Sequence, residues 1–309
     1  MILQPMDVLA QFPIRKNRQQ KQTFRTAIQQ YALWQGYEYH EEKASFNGVN
    51  VILGNPEKAK FLISAHYDTC AAMPFPNLIT PCNFWSFMGY QFFITIVLVL
   101  PALVLGAMVG YFTGMYRLVS TVTMLTLYLT LALLLFGPAN KNNANDNTSG
   151  VVTLLEMAQN LPRELREQVC FVLFDLEEAG LLGSSSYRSK HKKAIKNQLI
   201  INLDCVGEGD NIVLFPSRKV LKNQQALHNF HRICGNYGIK NVSVRDRGFS
   251  VYPSDQANFP YGIGICALRK SKFGLYLSRI HTKNDTILDQ TNVQLVSNLL
   301  IDTIINYHS

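Results

Sequence analysis

An α/β fold with a mostly parallel or mixed central sheet flanked by helices, opened at one point by an inserted two-helix transmembrane hairpin, is the architecture this sequence predicts. Three observations lead there. Short apolar strand-like runs alternate with helix-like stretches, the pattern of a sheet covered on both faces. Several of those runs end in Asp, Glu or His. Between Asp68 and Lys141 the only charged side chain is Arg117, whereas the rest of the chain has an ordinary soluble composition.

The elements follow in order. Residues 16–34 read as an amphipathic helix with Phe24, Ile28 and Tyr31 on one side. Strand-like runs come at 37–40, 49–53 and 61–65. After the insert, 149–161 reads as a helix, 170–176 as an apolar strand, and a further helix is expected to start near Gly180. Residues 199–203 and 212–215 are strand-like, 222–234 helical, 263–268 strand-like, and 292–305 form the last helix. One domain over 1–309 accommodates this order, with the insert at 83–137.

Two apolar runs, 84–112 and 118–136, fill the insert. A spanning helix needs about 20 apolar residues, so spans are expected at about 88–110 and 118–136. Trp85, Tyr90, Tyr111 and Tyr116 lie near the ends, where aromatic rings favour the membrane interface. Pro101 would kink the first run, which membrane helices tolerate. The bland alternatives are a buried core hairpin or an apolar dimerisation arm. Core helices rarely lack a polar face over such lengths, which favours the membrane.

The chain has 309 residues, 48% hydrophobic and 16% charged, with a formal net charge of +8. No nucleic-acid signature accompanies the positive charge, so a solvated or membrane-facing surface is expected and nucleic acid is not. None of the six cysteines forms a CxxC pair, and Cys170, Cys205 and Cys266 lie in apolar runs. That reads as a reduced, cytosol-facing protein. The first twenty residues lack a continuous apolar core followed by a small-residue cleavage site, so no signal peptide is expected.

Five segments place acidic or histidine residues beside an apolar run or at a helix start: His66-Tyr67-Asp68, Asn145-Asp146-Asn147-Thr148-Ser149-Gly150, Glu177-Glu178, Asn202-Leu203-Asp204, and His281 to Thr286. On an extended chain His66 and Asp68 point the same way, so one can bind a metal while the other orients it. Singly, each segment has an ordinary explanation: a helix cap, a turn, a solvated pair. Together they converge where open α/β sheets build sites, at the carboxyl ends of parallel strands.

These segments resemble the co-catalytic dizinc aminopeptidases of metallopeptidase clan MH, whose relatives include bacterial leucyl aminopeptidases, glutamate carboxypeptidase and, distantly, glutaminyl cyclase. The likeness rests on His-x-Asp at His66–Asp68, Asp-Asn-x-Ser-Gly at Asp146–Gly150, Glu-Glu-x-Gly-Leu-x-Gly-Ser at Glu177–Ser184, Asn-x-Asp at Asn202–Asp204, Ser-Asp-x-x-x-Phe at Ser254–Phe259 and His-Thr-x-x-Asp-Thr at His281–Thr286. It covers most of the chain outside the insert, in the family's order. The zinc exopeptidase, or phosphorylase/hydrolase-like, fold is what the resemblance implies.

It also implies roles. Asp146 bridges two zinc ions, with His66 and Asp204 completing one position and Glu178 and His281 the other. Manganese or cobalt can substitute for zinc. Glu177 is the general base, acting with a metal-bridging hydroxide on the peptide substrate, and Asp68 orients His66. Three ligand carboxylates and one hydroxide balance two divalent cations, as a partly desolvated pocket requires. Tyr252 or Tyr261 is the candidate oxyanion or substrate contact. The implied activity is aminopeptidase; a carboxypeptidase or dipeptidase, or a non-catalytic scaffold, is the alternative. Gln256 stands where the family often has His and receives no role. Because His66 and Asp146 flank the insert and must meet, the insert must cross a bilayer an even number of times. Basic residues concentrate outside the insert, which puts the catalytic domain in the cytoplasm.

Overall fold

Period-two alternation along the strands decides which side chains go to which face. In the computed structural model, which describes residues 3–75, 77–272 and 274–307, Phe61, Ile63, Phe171 and Leu173 enter one apolar cluster. Leu62, Cys170, Val172 and Phe174 enter another. Adjacent residues of one strand thus feed opposite faces, and both faces are covered.

The elements are α1 (Asp7–Gln11), α2 (Arg18–Gln35), β1 (Tyr39–Lys43), β2 (Val49–Leu53), β3 (Phe61–His66), α3 (Phe84–Thr113), α4 (Arg117–Phe136), α5 (Gly150–Asn160), β4 (Val169–Phe174), α6 (Leu182–Lys190), β5 (Leu199–Leu203), β6 (Asn211–Pro216), α7 (Arg218–Leu221), α8 (Gln224–Gly235), β7 (Asn241–Val244), β8 (Gly262–Ser271), β9 (Gly274–Tyr276) and α9 (Gln290–Asn306). The sheet order is β1-β2-β4-β3-β5-β8-β6-β7, with β9 on β8. The central neighbours β4, β3, β5 and β8 run parallel, while β1, β2 and β6 pair antiparallel. The mixed sheet agrees with the expected fold class. The main cluster joins the inner faces of α2, α5, α8 and α9 to the sheet, and Tyr187 of α6 packs on the other face.

Helix α2 starts two residues into its predicted segment because Asn17 caps it. The Asn17 side chain accepts from Gln20 N–H, and the Gln20 side chain accepts from Asn17 N–H. The predicted helix at 222–234 is α8, which starts where the Asn223 side chain accepts from Ala226 N–H; the short α7 just before it was not expected. The short α1, β7 and β9 carry no strong periodic signal and were not anticipated.

Helices α3 and α4 pack on each other as a hairpin. At 1.5 Å per residue, 30 and 20 residues make rods of about 45 Å and about 30 Å. Only 11% and 6% of their most apolar windows are buried, which rules out a buried core hairpin. Small residues make the contact: Ala102, Gly106 and Gly110 of α3 and Thr123 of α4 are buried. A Cβ on Gly106 would meet Val119 O at 2.7 Å and Thr123 Oγ1 at 2.2 Å, so glycine sets the helix separation.

Candidate metal centre

Parallel strands all deliver their carboxyl ends to one edge, and the predicted residues arrive there. His66 is the last residue of β3 and Asp204 follows β5. Glu177 and Glu178 follow β4 after a left-handed Leu176 (φ 58°). Asp146 lies in the turn before α5. His281 comes from the loop after β9, itself at φ 61°. Leu181 and Cys205 also adopt positive φ nearby. Such conformations cost about 1–3 kcal/mol each and gather at functional sites.

The Asp146 carboxylate stands between two histidines and offers each a different oxygen. Oδ1 is 3.3 Å from His66 Nε2 and Oδ2 is 2.9 Å from His281 Nε2. On the first side, His66 Nε2 is 3.7 Å from Asp204 Oδ1 and 4.0 Å from Glu177 Oε2. On the second, His281 Nε2 is 3.3 Å from Glu178 Oε2. Glu178 Oε1 and Asp204 Oδ1 are buried with no hydrogen-bond partner. Unpaired buried carboxylate oxygens are costly unless a cation satisfies them, so the donor set fits metal ions.

The electrostatics say the same. Burial brings Glu178 up to about 8, with His281 opposing the rise and Asp146 adding to it. Burial raises Glu177 well above the carboxylate range, with Glu178, Asp204 and Asp255 adding to the rise. Burial likewise brings Asp255 to about 7 and Asp285 to about 7. Burial opposes charge on His66 and His281, yet the surrounding carboxylates raise both, His281 to about 9. The cluster holds too much negative charge for the cations the chain itself supplies, and divalent ions would relieve it.

Asp68 contacts both His66 and the paired glutamates. Its carboxylate accepts from the N–H groups of Glu177 (3.1 Å) and Glu178 (3.2 Å), fixing the paired glutamates. His66 Nδ1 lies 3.2 Å from the Asp68 carbonyl and 3.5 Å from its Oδ1. The two candidate tyrosines part company. Tyr252 lines the site, and its hydroxyl donates to Asp204 O at 3.0 Å. Tyr261 is a correction: it directly precedes β8, which runs parallel to β5, so it sits at the amino ends of the strands, away from the site. Lys219 lies over its ring at 5.4 Å. Gln256, to which no role was given, accepts from Asn202 and donates to Tyr252 O.

Several supporting residues escaped the sequence reading. The Asp285 carboxylate accepts from Asn145 N–H (2.7 Å) and Asp146 N–H (3.0 Å) and so holds the turn that carries Asp146. Asn145 Oδ1 accepts from Gly207 N–H, and Asn147 Nδ2 donates to Leu203 O, bracing that turn against β5. A Cβ on Gly150 would meet Leu203 O at 2.4 Å, which explains the glycine ending the turn motif. Arg15 is fully buried beside Tyr67 and Thr148. It donates to Tyr67 O (2.5 Å), Phe12 O (2.5 Å) and Thr148 Oγ1 (3.1 Å). Asn145, Asn147 and Asp285 lay inside motifs already singled out; no spacing signal marks Arg15.

The mouth is narrow. A cavity of about 120 Å³ exposes Asp146, Glu177, Glu178, Asp204 and His281 between Ile79, Tyr252, Pro253 and Ile280. Ile79 belongs to the segment leading into α3 and bridges to Leu277, while Met73 N–H donates to His281 O. The approach to the hairpin therefore forms part of the site wall.

Fold and site together define an α/β sheet with a candidate metal centre at the carboxyl ends of its parallel strands. The profile of peptidase family M28 matches residues 130–304, more than half of the chain, and the chain belongs to that family. The chain is 41% identical over 69 residues to aminopeptidase YwaD of Bacillus subtilis (strain 168), a stretch covering 21% of this chain and 15% of that relative. Two solved structures share the fold. A Zn-dependent exopeptidase from Parabacteroides distasonis superposes with a TM-score of 0.60 at 15% identity, covering 99% of this chain and 100% of the other. A glutaminyl cyclase from Bacteroides thetaiotaomicron superposes with a TM-score of 0.59 at 15% identity, covering 99% of each chain.

Proposed function

We propose that the chain is a membrane-anchored zinc aminopeptidase with two metal positions, one formed by His66, Asp146 and Asp204 and the other by Asp146, Glu178 and His281. The observation that carries this reading is the Asp146 carboxylate placed between two histidines, with buried, unpartnered oxygens of Glu178 and Asp204 on either side. Bound there, zinc would lower the pKa of a water towards about 7 and polarise the scissile carbonyl.

The protein's own groups do the rest. Glu177 is held by the Asp68 carboxylate through its backbone N–H, so its side chain faces the cavity at a fixed height. It takes the proton of the attacking water and returns it to the leaving amine. Cations in the site would bring Glu177 down from its raised value and free it to act as a base. Tyr252 and Pro253, with Ile79 and Ile280, enclose the cavity and limit water. Tyr252 already donates to Asp204 O, which suits it to shaping the wall.

The hairpin is the anchor in this reading. Its outer surface carries Phe92, Leu103, Leu129 and Phe136 in the open, the arrangement expected of a surface facing lipid. The catalytic body then lies in the cytoplasm, on the side where basic residues are retained. Amino-acid anilides, amino-blocked peptides and carboxyl-blocked peptides, each tested with zinc and with chelator, separate the activities. Zinc-dependent cleavage of the anilides is the expected result; turnover of amino-blocked peptides alone would make the enzyme a carboxypeptidase. For topology, Thr113→Cys should react with an impermeant reagent from outside the cell and Lys192→Cys should not. Release of the protein by alkaline carbonate would rule out the spans.

A further inference from the structure

Five of the six cysteines have an apolar setting. Cys170 packs with Leu62 and Val172, Cys234 joins the main core, and Cys205 and Cys266 pack with Val213 and Tyr252. Cys82 packs, half-buried, against that last group. Cys70 is buried at 3% exposure yet belongs to none of these clusters. Its surroundings are polar. Sγ is 3.5 Å from Asn143 Oδ1, and Sγ, a Glu178 carboxylate oxygen and a His281 ring nitrogen all lie within 4.8 Å of one another. Independently, Glu178 Oε1 is buried there with no hydrogen-bond partner.

We propose that the sulfur of Cys70 is a further ligand at the metal position formed by Glu178 and His281. The inference rests on the two-metal reading above and extends it. Zinc takes thiolate, imidazole and carboxylate ligands together and can expand to five-coordinate, so a buried thiol beside Asp146, Glu178 and His281 still leaves a place for water. On coordination the S–H bond breaks, the sulfur keeps the electron pair, and the proton leaves to solvent. Cys205 is the natural contrast. It lies within the same reach of Asp146 and Asp204, but unlike Cys70 it also belongs to an apolar cluster with Val213, Leu277 and Ile280, which accounts for its burial without a metal.

A sulfur ligand at this place would tie the metal centre to the membrane hairpin. Cys70 begins the segment that climbs to α3. Its carbonyl accepts from Asn140 N–H at 3.1 Å, and Ala71 bridges to Ala139, just past the end of α4. Both feet of the hairpin would then be fastened to one metal ligand.

The test uses the full chain in detergent micelles, loaded with cobalt(II) or with zinc. Wild type should give a sulfur-to-cobalt charge-transfer absorption in the near ultraviolet, and X-ray absorption of the zinc form should give a sulfur shell at about 2.3 Å, distinct from nitrogen at about 2.0–2.1 Å. Cys70→Ser should lose both signals and bind one of its two ions at least about tenfold more weakly, while Cys205→Ser keeps both signals. Two bound ions with only nitrogen and oxygen neighbours in the wild type would overturn the proposal, whether or not either variant folds. Loss of the sulfur signals in Cys205→Ser and their retention in Cys70→Ser would overturn it as well. A wild-type chain that binds no metal would instead overturn the reading on which the proposal rests.

Discussion

The hairpin and the catalytic body solve opposite packing problems in one chain. In the body, large apolar residues such as Phe61, Phe171 and Leu300 point inward and are fully buried. In the hairpin the large residues point outward, Phe92 at 68% exposure and Leu129 at 62%, and the buried positions are Ala102, Gly106, Gly110 and Thr123. Burial of apolar area drives the first arrangement. It does not act in the second, where small residues bring two helices close and the outer faces stay apolar and exposed; in the membrane-anchored reading those faces meet lipid. The two regions meet at the site: Lys16 Nζ donates to Leu135 O at the end of α4, and Ile79 lines the cavity.

That contrast can be broken in stages. The largest expected effect is in the body. Glu177→Gln removes the base and no ligand, so turnover should fall by roughly 10²–10⁴ while metal content stays unchanged by elemental analysis. Loss of metal in that variant would make Glu177 structural. Next comes the hairpin. Gly106→Val puts side-chain atoms where Val119 O and Thr123 Oγ1 already lie, and overpacking of this kind costs about 1–3 kcal/mol. Limited proteolysis in detergent should then cut between α3 and α4 more readily, while the thermal transition of the body holds. A lower body Tm with an intact hairpin would mean that the two regions do not pack independently.

The smallest effect is on the body's surface. His191 of the loop after α6 lies 2.9 Å from both Glu42 and Glu57, and Glu42 above all raises its pKa. A histidine raised on folding adds stability that is full below its unfolded value of about 6.5 and lost as pH rises through the folded value. The Tm gap between wild type and His191→Gln should therefore be widest in mild acid and close as pH rises. A gap that widens in alkali would contradict the sign.

Much of the site was legible because metal ligation demands particular side chains at particular ends of strands. His66, Glu178 and Asp204 each stand at or just past an apolar run, and that alone placed them on one edge of the sheet. Tyr261 failed for a related reason. Closeness in sequence to Ser254-Asp255 suggested closeness to the site, but the direction of β8 sends it to the opposite edge. Arg15 could not be found because its partners, Tyr67 and Thr148, become neighbours only on folding. The single turn of α7 was invisible because four residues are too few to show a helical period, and one side-chain cap at Ser217 starts it. The hairpin was the easiest feature to read, since composition alone marks it.

The central claim is that Asp146 holds two ions at once. Purified wild-type protein dialysed against zinc and then counted for metal should carry two ions per chain, and Asp146→Ala, prepared identically and with its fold checked by circular dichroism, should carry none or less than one. A wild-type chain with one ion or none, or an Asp146→Ala variant that keeps two, would contradict it.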